Sequence, residues 1–398
     1  MRIGIFSDSW VPNLNGVVIS IINEIMNLRK KHEFVVIVPK LKQSSRFGIE
    51  GIPIYELKSF PFPPYPGYNI ALPDRNLRHA IRDEKLDFIH CHSPFSLGYA
   101  AVLSARLFND LPLMNTYHTD LVKYSGHLIG GFQAKRFTRW FERFAWIYVR
   151  WFYKYSDVIV TPSKTLQQAL SSHGVFPVYS LPNMLSNVFF STPKKNEVEA
   201  FEEHIRDKFS IPATSRIVLY CGRVSYEKKL EVLLNAFKRI ERELEDVYLL
   251  IIGDGPHLQM YRNLAKTLKL KQIAFTGFIS HTKLPLAYRM GMFMVTPSDT
   301  ETQGLTVIEA MSQGLPVIGV SGGGVMDYIE NGTNGFLVPP GDDEALAKVI
   351  VRLLNKPELV SEFSRAATRT VKKFSRDGFI TQLERAFQIT ISRHNGRD

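Results

Sequence analysis

Residues 298–314 read SDTETQGLTVIEAMSQG, and this stretch decides the fold. The apolar run at 292–295 before it predicts a buried strand, and Pro297 with Ser298 predicts a turn. Gly304 then opens a short helix, which Gly314 stops. Glu301 stands before that helix and Glu309 within it. A helix start behind a strand offers backbone N–H groups and a partial positive charge, which suit a phosphate. Carboxylates repel phosphate but accept hydrogen bonds from sugar hydroxyls. One short segment therefore offers groups for both halves of a sugar nucleotide. The plainer reading is a solvated pair of acids at an ordinary strand–helix turn.

Working outward, 398 residues exceed one ordinary core and predict two domains. Two cysteines, Cys91 and Cys221, are too few and too far apart for a disulfide framework and point to a reducing compartment. The first residues enter a strand directly, so no signal peptide is expected. No apolar run approaches the roughly 20 residues of a membrane span. The formal charge is +11, and residues 1–183 hold 21 Lys and Arg against 13 Asp and Glu. The basic excess therefore sits in the first half and favours an anionic surface as its partner.

The first half alternates strands with helices, which predicts parallel strands and right-handed crossovers. Strands are expected at 2–6, 34–38, 88–91, 113–116, 157–160 and 178–181, and a helix at 17–28 behind Gly16. The Gly-x-Gly-x-x-Gly fingerprint of dinucleotide sites is absent. Residues 59–68, SFPFPPYPGY, cannot be helical and predict an extended surface loop. In parallel sheets ligands bind beyond the carboxyl ends of the strands. His92 and His118 lie just past two such ends, although a lone histidine is as often a packing residue.

Residues 131–155 hold three of the four tryptophans, and six bases against one acid. At helical spacing Phe137, Phe141, Phe144, Tyr148, Trp151 and Tyr155 are expected on one face, and Arg136, Arg139, Arg143, Arg150 and Lys154 largely on the other. Two readings stand. One is an interfacial helix on anionic lipid, using Arg136, Arg139, Trp140 and Arg143. The other is a core-facing helix with a solvated basic back.

The second half repeats the alternation, with strands expected at 216–220, 248–252, 273–276, 292–295 and 317–319. Arg223 and Lys228 follow the first of these on its strand–helix loop. Arg offers a forked contact and Lys a point charge to an anion. The glycines at 322–324 let backbone approach a ligand or make a flexible turn. Residues 342–374 and 379–391 read as helices. No metal-ligand cluster is visible in the spacing.

Glu-x7-Glu within SDTETQGLTVIEAMSQGLPVI, followed by GGGVMDYIENGTNGFLVPPGD, resembles the donor site of retaining glycosyltransferase family four. The resemblance implies an α/β chain of GT-B architecture, with two Rossmann-like domains facing a cleft. It implies an acceptor domain at 1–183, with the helix of 376–398 packed back on it, and a sugar-nucleotide domain at 184–375. The segment CGRVSYEKK resembles the family's pyrophosphate grip, with Lys229 standing where the family has glycine, so that Lys228 or Lys229 faces the phosphates. TYHTD resembles the active-site histidine segment. The implied catalytic residues are His118, Arg223, Lys228 and Glu301. The implied donor contacts are Gly16, Arg223, Lys228, Gln303, Gly304, Leu305 and Glu309. The substrate would be a nucleotide sugar, UDP-hexose first, with no cofactor and no metal in the catalytic step. HCHSPFSLG, TYHTD with Tyr124 soon after, and the aromatic basic helix resemble diacylglycerol glycosyltransferases. That implies a lipid acceptor at an anionic membrane surface, a cytoplasmic protein attached to the membrane's cytoplasmic face, and no nucleic-acid partner. Alternatives are phosphatidylinositol or a soluble polyol or glycan as acceptor, a GT-B epimerase, and a nucleotide-binding membrane-surface module without catalysis.

Overall fold

The computed structural model describes residues 1–12, 15–41, 49–62, 69–108, 110–118, 120, 122, 135–374 and 376–396, without the side chains of 108, 135–139, 141 and 373. It divides into two units, Met1–Met184 with Arg376–Asp398, and Leu185–Ser375. The first contains β1 (Arg2–Phe6), β2 (Glu33–Pro39), β3 (Ile54–Leu57), β4 (Ser59–Pro61), β5 (Asn69–Ala71), β6 (Phe88–Cys91), β7 (Leu113–Thr116), β8 (Val158–Thr161) and β9 (Val178–Ser180). Seven of these form one sheet in the order β3-β2-β1-β6-β7-β8-β9. Every pairing in it is parallel. The extended stretch after residue 58 pairs as a separate antiparallel ribbon of β4 and β5, and residues 63–68 lie outside the described set.

The strands read as continuous apolar runs because both faces of the sheet are covered. Ile3 and Ile5 point into one core with Val18, Ile21 and Ile25 of the Gly16–Leu28 helix. Phe6 belongs to the opposite core, with Leu97 and Ala100 of the Ser96–Leu103 helix. The Arg376–Asn395 helix adds Phe379, Leu383 and Phe387 to the first of these cores, so residues near 380 share an interior with residues 3–28.

The second unit contains β10 (Arg216–Cys221), β11 (Val247–Ile252), β12 (Ile273–Gly277), β13 (Phe293–Val295), β14 (Val317–Val320) and β15 (Gly335–Val338). Its sheet runs β12-β11-β10-β13-β14-β15, again parallel throughout. Besides the ribbon of β4 and β5, two strands were not expected. β3 and β15 have four residues each and lie at sheet edges. IYEL and GFLV are too short to display a period.

The Lys135–Tyr153 helix bears on both readings of this segment. Phe144 and Trp151 do not share a face with the buried aromatics. They are exposed, together with Trp140 and Ile147. Val149, Phe152 and Tyr153 are buried against Tyr117, Ile159 and Leu166. Aromatic residues stand on both the exposed and the buried side, so their spacing alone does not say which face the sheet buries. The core-facing reading describes one side of this helix and the exposed aromatic reading the other.

Candidate active site

In the second unit β13 runs into the loop of residues 296–304, and the helix Leu305–Ser312 follows. Gly304 caps the helix at φ 79°, a left-handed conformation that suits glycine, and carries no side chain to occupy the first N–H groups. The turn Gly323–Asp327 packs beneath this loop. The Gly324 N–H donates to Glu301 O at 2.6 Å. A Cβ on Gly324 would stand 2.2 Å from Thr302 O. The glycines here serve backbone packing inside the protein, which fixes the loop that bears Glu301.

The loop after β10 meets the same segment. Lys228 Nζ donates to Glu301 Oε1 at 2.7 Å, and Lys229 Nζ to Asp299 Oδ2 at 2.7 Å. Thr300 Oγ1 donates to Glu227 O at 3.3 Å, which ties the two loops further. Lys229 holds φ 52°, the left-handed position for which glycine is suited. Both lysines thus reach the 299–301 loop as two parallel ion pairs. Arg223 is exposed on the same strand–helix connection. The pairs are partly solvated, with side-chain exposures of 20% and 16% for Lys228 and Glu301. Ammonium groups at that depth keep donors for an incoming anion.

Glu309 is not brought to those lysines. It is buried in the helix and accepts from Tyr288 Oη at 2.9 Å. Burial pushes its carboxyl up to about 7, against the opposing Tyr288 bond. Gln303 is buried as well and bonds Tyr328. Leu305 begins the helix and is half-buried.

In the first unit His92 and His118 come together, as their positions past β6 and β7 predict. His92 Nδ1 and His118 Nε2 lie 2.8 Å apart, with rings inclined by 18°. Two residues not singled out in the sequence complete the group. His90 Nδ1 meets Glu24 Oε1 at 2.8 Å, and His90 Nε2 meets Thr116 Oγ1 at 2.7 Å. His92 Nε2 faces Glu24 Oε2 at 3.5 Å. Burial alone would raise the Glu24 carboxyl, but the charge and hydrogen bonds of His90 and His92 outweigh it and bring it down to about 2. Burial, aided by His90, lowers His92 to about 4. Burial and then His92 hold His118 well below the usual imidazole range. His92 and His118 are therefore neutral at pH 7 beside an ionised carboxylate.

Glu24, His90 and His92 place three ligand atoms within 4.8 Å of one another, a cluster that spacing in the sequence did not reveal. Both ring nitrogens of His90 are already committed at hydrogen-bond distance. The donor set fits a hydrogen-bonded chain better than a cation. His92 and His118 line a cavity with Ser7, Ser9, Ser93, Phe95 and Tyr153. Asp8 fixes its wall by accepting from the Ser93 and Ser96 hydroxyls and from Leu97 N–H. Gly16 is the first residue of its helix, behind Asn15, whose Oδ1 accepts from Val17 N and Val18 N at 3.0 Å.

Of the residues expected at a membrane, Trp140 and Arg143 are exposed. The side chains of Arg136 and Arg139, and the whole of Tyr124, lie outside the described residues. Among the described residues no helix is long and apolar enough to cross a membrane.

Known proteins share the family and the fold of this chain. The profile "Glycosyltransferase Family 4" matches residues 14–185, and "Glycosyl transferases group 1" matches 201–370. The chain is 27% identical to an alpha-monoglucosyldiacylglycerol synthase of Streptococcus pneumoniae over 90% of this chain and 80% of that one. It is 26% identical to the enzyme of the same name from Acholeplasma laidlawii over 99% and 98%. A GDP-mannose-dependent alpha-mannosyltransferase of Corynebacterium glutamicum is 25% identical over 98% and 90%. In fold, the structure of sucrose-phosphate synthase from Thermosynechococcus elongatus superposes with a TM-score of 0.78 at 22% identity, over 98% of this chain and 99% of that one. With one profile on each half and two parallel-sheet α/β units, the chain belongs to glycosyltransferase family 4 and has the GT-B fold.

Proposed function

We propose that this glycosyltransferase moves a hexose, glucose or galactose, from a UDP-sugar to diacylglycerol with retention at the anomeric carbon. In this reading the bond from the sugar carbon to the diphosphate breaks on the face where the bond to the acceptor oxygen forms. The leaving phosphate takes the acceptor proton. Arg223, Lys228 and the helix start at Gly304 stabilise the charge that develops on the diphosphate, and the Lys228–Glu301 pair opens toward it. Glu301 and Glu309 hold sugar hydroxyls, and Gly16, Gln303 and Leu305 complete the donor contacts. His118 serves the acceptor side. The chain has no Asp-x-Asp, and the cations named here supply the charge a metal would otherwise supply. Activity should therefore persist in chelator. Abolition by chelator, with recovery on adding magnesium or manganese, would contradict the metal-free step.

One observation carries the lipid acceptor. Tyr99, Leu103 and Leu107 are exposed at four-residue spacing along Ser96–Leu103 and the turn Ser104–Phe108. Phe144, Ile147 and Trp151 are exposed at helical spacing on Lys135–Tyr153. The two stripes join where the Tyr99 and Trp151 rings lie 5.7 Å apart. Gly98 permits this packing, since a Cβ there would stand 2.8 Å from Phe152 Cζ. A contiguous exposed apolar patch of this kind marks an interaction surface. Arg143, Arg150 and Lys154 are exposed beside it, as anionic headgroups would require. Phe95, which precedes Tyr99 by one turn, also lines the His118 cavity. The two synthase relatives support diacylglycerol and glucose, and the mannosyltransferase relative supports a GDP-mannose donor as the competing reading.

The test is a matrix of UDP-glucose, UDP-galactose and GDP-mannose against diacylglycerol, phosphatidylinositol and soluble polyols, with product analysis and vesicle flotation. A glycosyl-diacylglycerol product and binding to phosphatidylglycerol vesicles are expected. Full glycosylation of a soluble sugar by a protein that floats with no vesicle would sink the lipid reading.

A further inference from the structure

We infer that Glu24 and His92 are positioning residues for His118: the chain Glu24–His92–His118 fixes one tautomer of His118, with Nε2–H donated to His92 and Nδ1 left as an acceptor toward the cavity. This rests on the acceptor-side role given to His118 above. The argument begins at the carboxylate. Glu24 sits on the buried face of its helix, between Ile21 and Ile25. An ionised carboxylate only accepts hydrogen bonds. Its Oε1 therefore receives Nδ1–H of His90 at 2.8 Å, and the other ring nitrogen of His90, Nε2, is taken up by the Thr116 hydroxyl at 2.7 Å. Its Oε2 faces His92 Nε2 at 3.5 Å, and that nitrogen has no nearer partner among the described residues. With the His92 proton on Nε2, Nδ1 is a lone pair, and the atom 2.8 Å away, His118 Nε2, must carry the proton between them. A neutral imidazole has one N–H, so His118 Nδ1 carries none. It has no hydrogen-bond partner among the described residues, and the ring lines the cavity.

The consequence is chemical selection. An acceptor nitrogen takes a ligand group that donates, so an alcohol hydroxyl fits and an ester or ether oxygen does not. The buried carboxylate writes this preference from two residues away, through groups that never touch the ligand.

The experiment uses the full chain with ¹⁵N-labelled histidine. Two-bond ¹H–¹⁵N correlation spectra at neutral pH distinguish the two neutral tautomers, and His92→Gln and His118→Gln assign the signals. Wild type should show His92 and His118 as single Nε2–H forms. Glu24→Gln puts an amide where only an acceptor stood. It should mix the His118 tautomers and lower kcat by roughly tenfold or more, with a smaller change in KM. Glu24→Asp, which keeps an acceptor, should retain the wild-type tautomer and cover the case in which the amide variant fails to fold. A wild-type His118 in the Nδ1–H form would overturn the inference, as would a Glu24→Gln protein with the His118 tautomer unchanged. Full activity of His118→Gln would instead remove His118 from the reaction and leave the tautomer result standing.

Discussion

The two units hold their polar residues in opposite ways. In the first, Glu24, His90 and His92 are all buried and joined to one another, and the imidazoles of His92 and His118 are neutral. In the second, Lys228–Glu301 and Lys229–Asp299 are ion pairs with about a fifth of each side chain in solvent. A partly solvated pair can trade a partner for an incoming anion at small cost, because water supports the separated charges. A buried chain cannot lose a member without stranding a polar group in a low-dielectric interior. The same kind of substitution should therefore act on turnover in one unit and on folding in the other.

The largest effects sharpen that contrast. Arg223→Ala and Lys228→Ala should each cut turnover by roughly two to four orders of magnitude, as expected for loss of a preorganised charge, with thermal stability little changed. If thermal stability collapses while the folded remainder keeps full turnover, both residues are structural. His90→Ala should do the converse. Removing a partner from a buried charged group costs about 3–5 kcal/mol. A urea midpoint within error of wild type would place Glu24 in water and break the comparison.

Next in size is pH. The His92 imidazole lies near 4 when folded, below its ordinary 6.5. The unfolded chain takes that proton first, so stability is present above 6.5 and is lost as pH falls from 6.5 toward 4. Glu24, brought to about 2 from 4.5, adds a loss in the same direction at lower pH. Glu309 runs the other way. Its folded value near 7 exceeds 4.5, so its contribution is full below 4.5 and is lost as pH rises through 7. Melting temperatures of Glu309→Gln and wild type between pH 5 and 8 separate the two units. The variant should lose less stability on the rise than wild type, and parallel curves would show that Glu309 is not shifted. The same variant should bind donor more weakly, with a smaller change in kcat.

The smallest effect concerns the surface. Replacing Arg136, Arg139 and Arg143 with Glu should lower activity on phosphatidylglycerol vesicles and spare a short-chain soluble acceptor. Each Lys or Arg near an anionic bilayer contributes about 1 kcal/mol, and salt screens it. Unchanged flotation of that variant would leave attachment to the apolar stripe alone.

Much of this was legible in the residues. The strand–loop–helix reading of 292–314 holds to within two residues, because β13, the cap at Gly304 and the stop at Gly314 each carry a local signal. Lys228 and Lys229 could be placed on a loop, but their pairing with Glu301 and Asp299 spans 73 and 70 positions and has no period. Glu24 and His90, 66 residues apart, were missed for the same reason. One signal was there to find. Ile21, Glu24, Ile25 and Leu28 are one helical stripe, and an acid on an apolar stripe requires a buried donor. The aromatic helix left two readings open for a different reason, since rings stand on both its exposed and its buried side and their spacing does not mark which one is covered.

The Arg376–Asn395 helix has a consequence for how the chain is made. Its Phe379, Leu383 and Phe387 fill a core that also holds Ile3, Ile5 and Val18. During synthesis the intervening unit of residues 185–375 has all of its strands available before that helix emerges. The first unit must wait, with part of its interior open, for residues translated after the second unit is complete. A nascent chain halted near residue 375 would thus pair one finished unit with one unfinished, and chaperone capture should be strongest at that length.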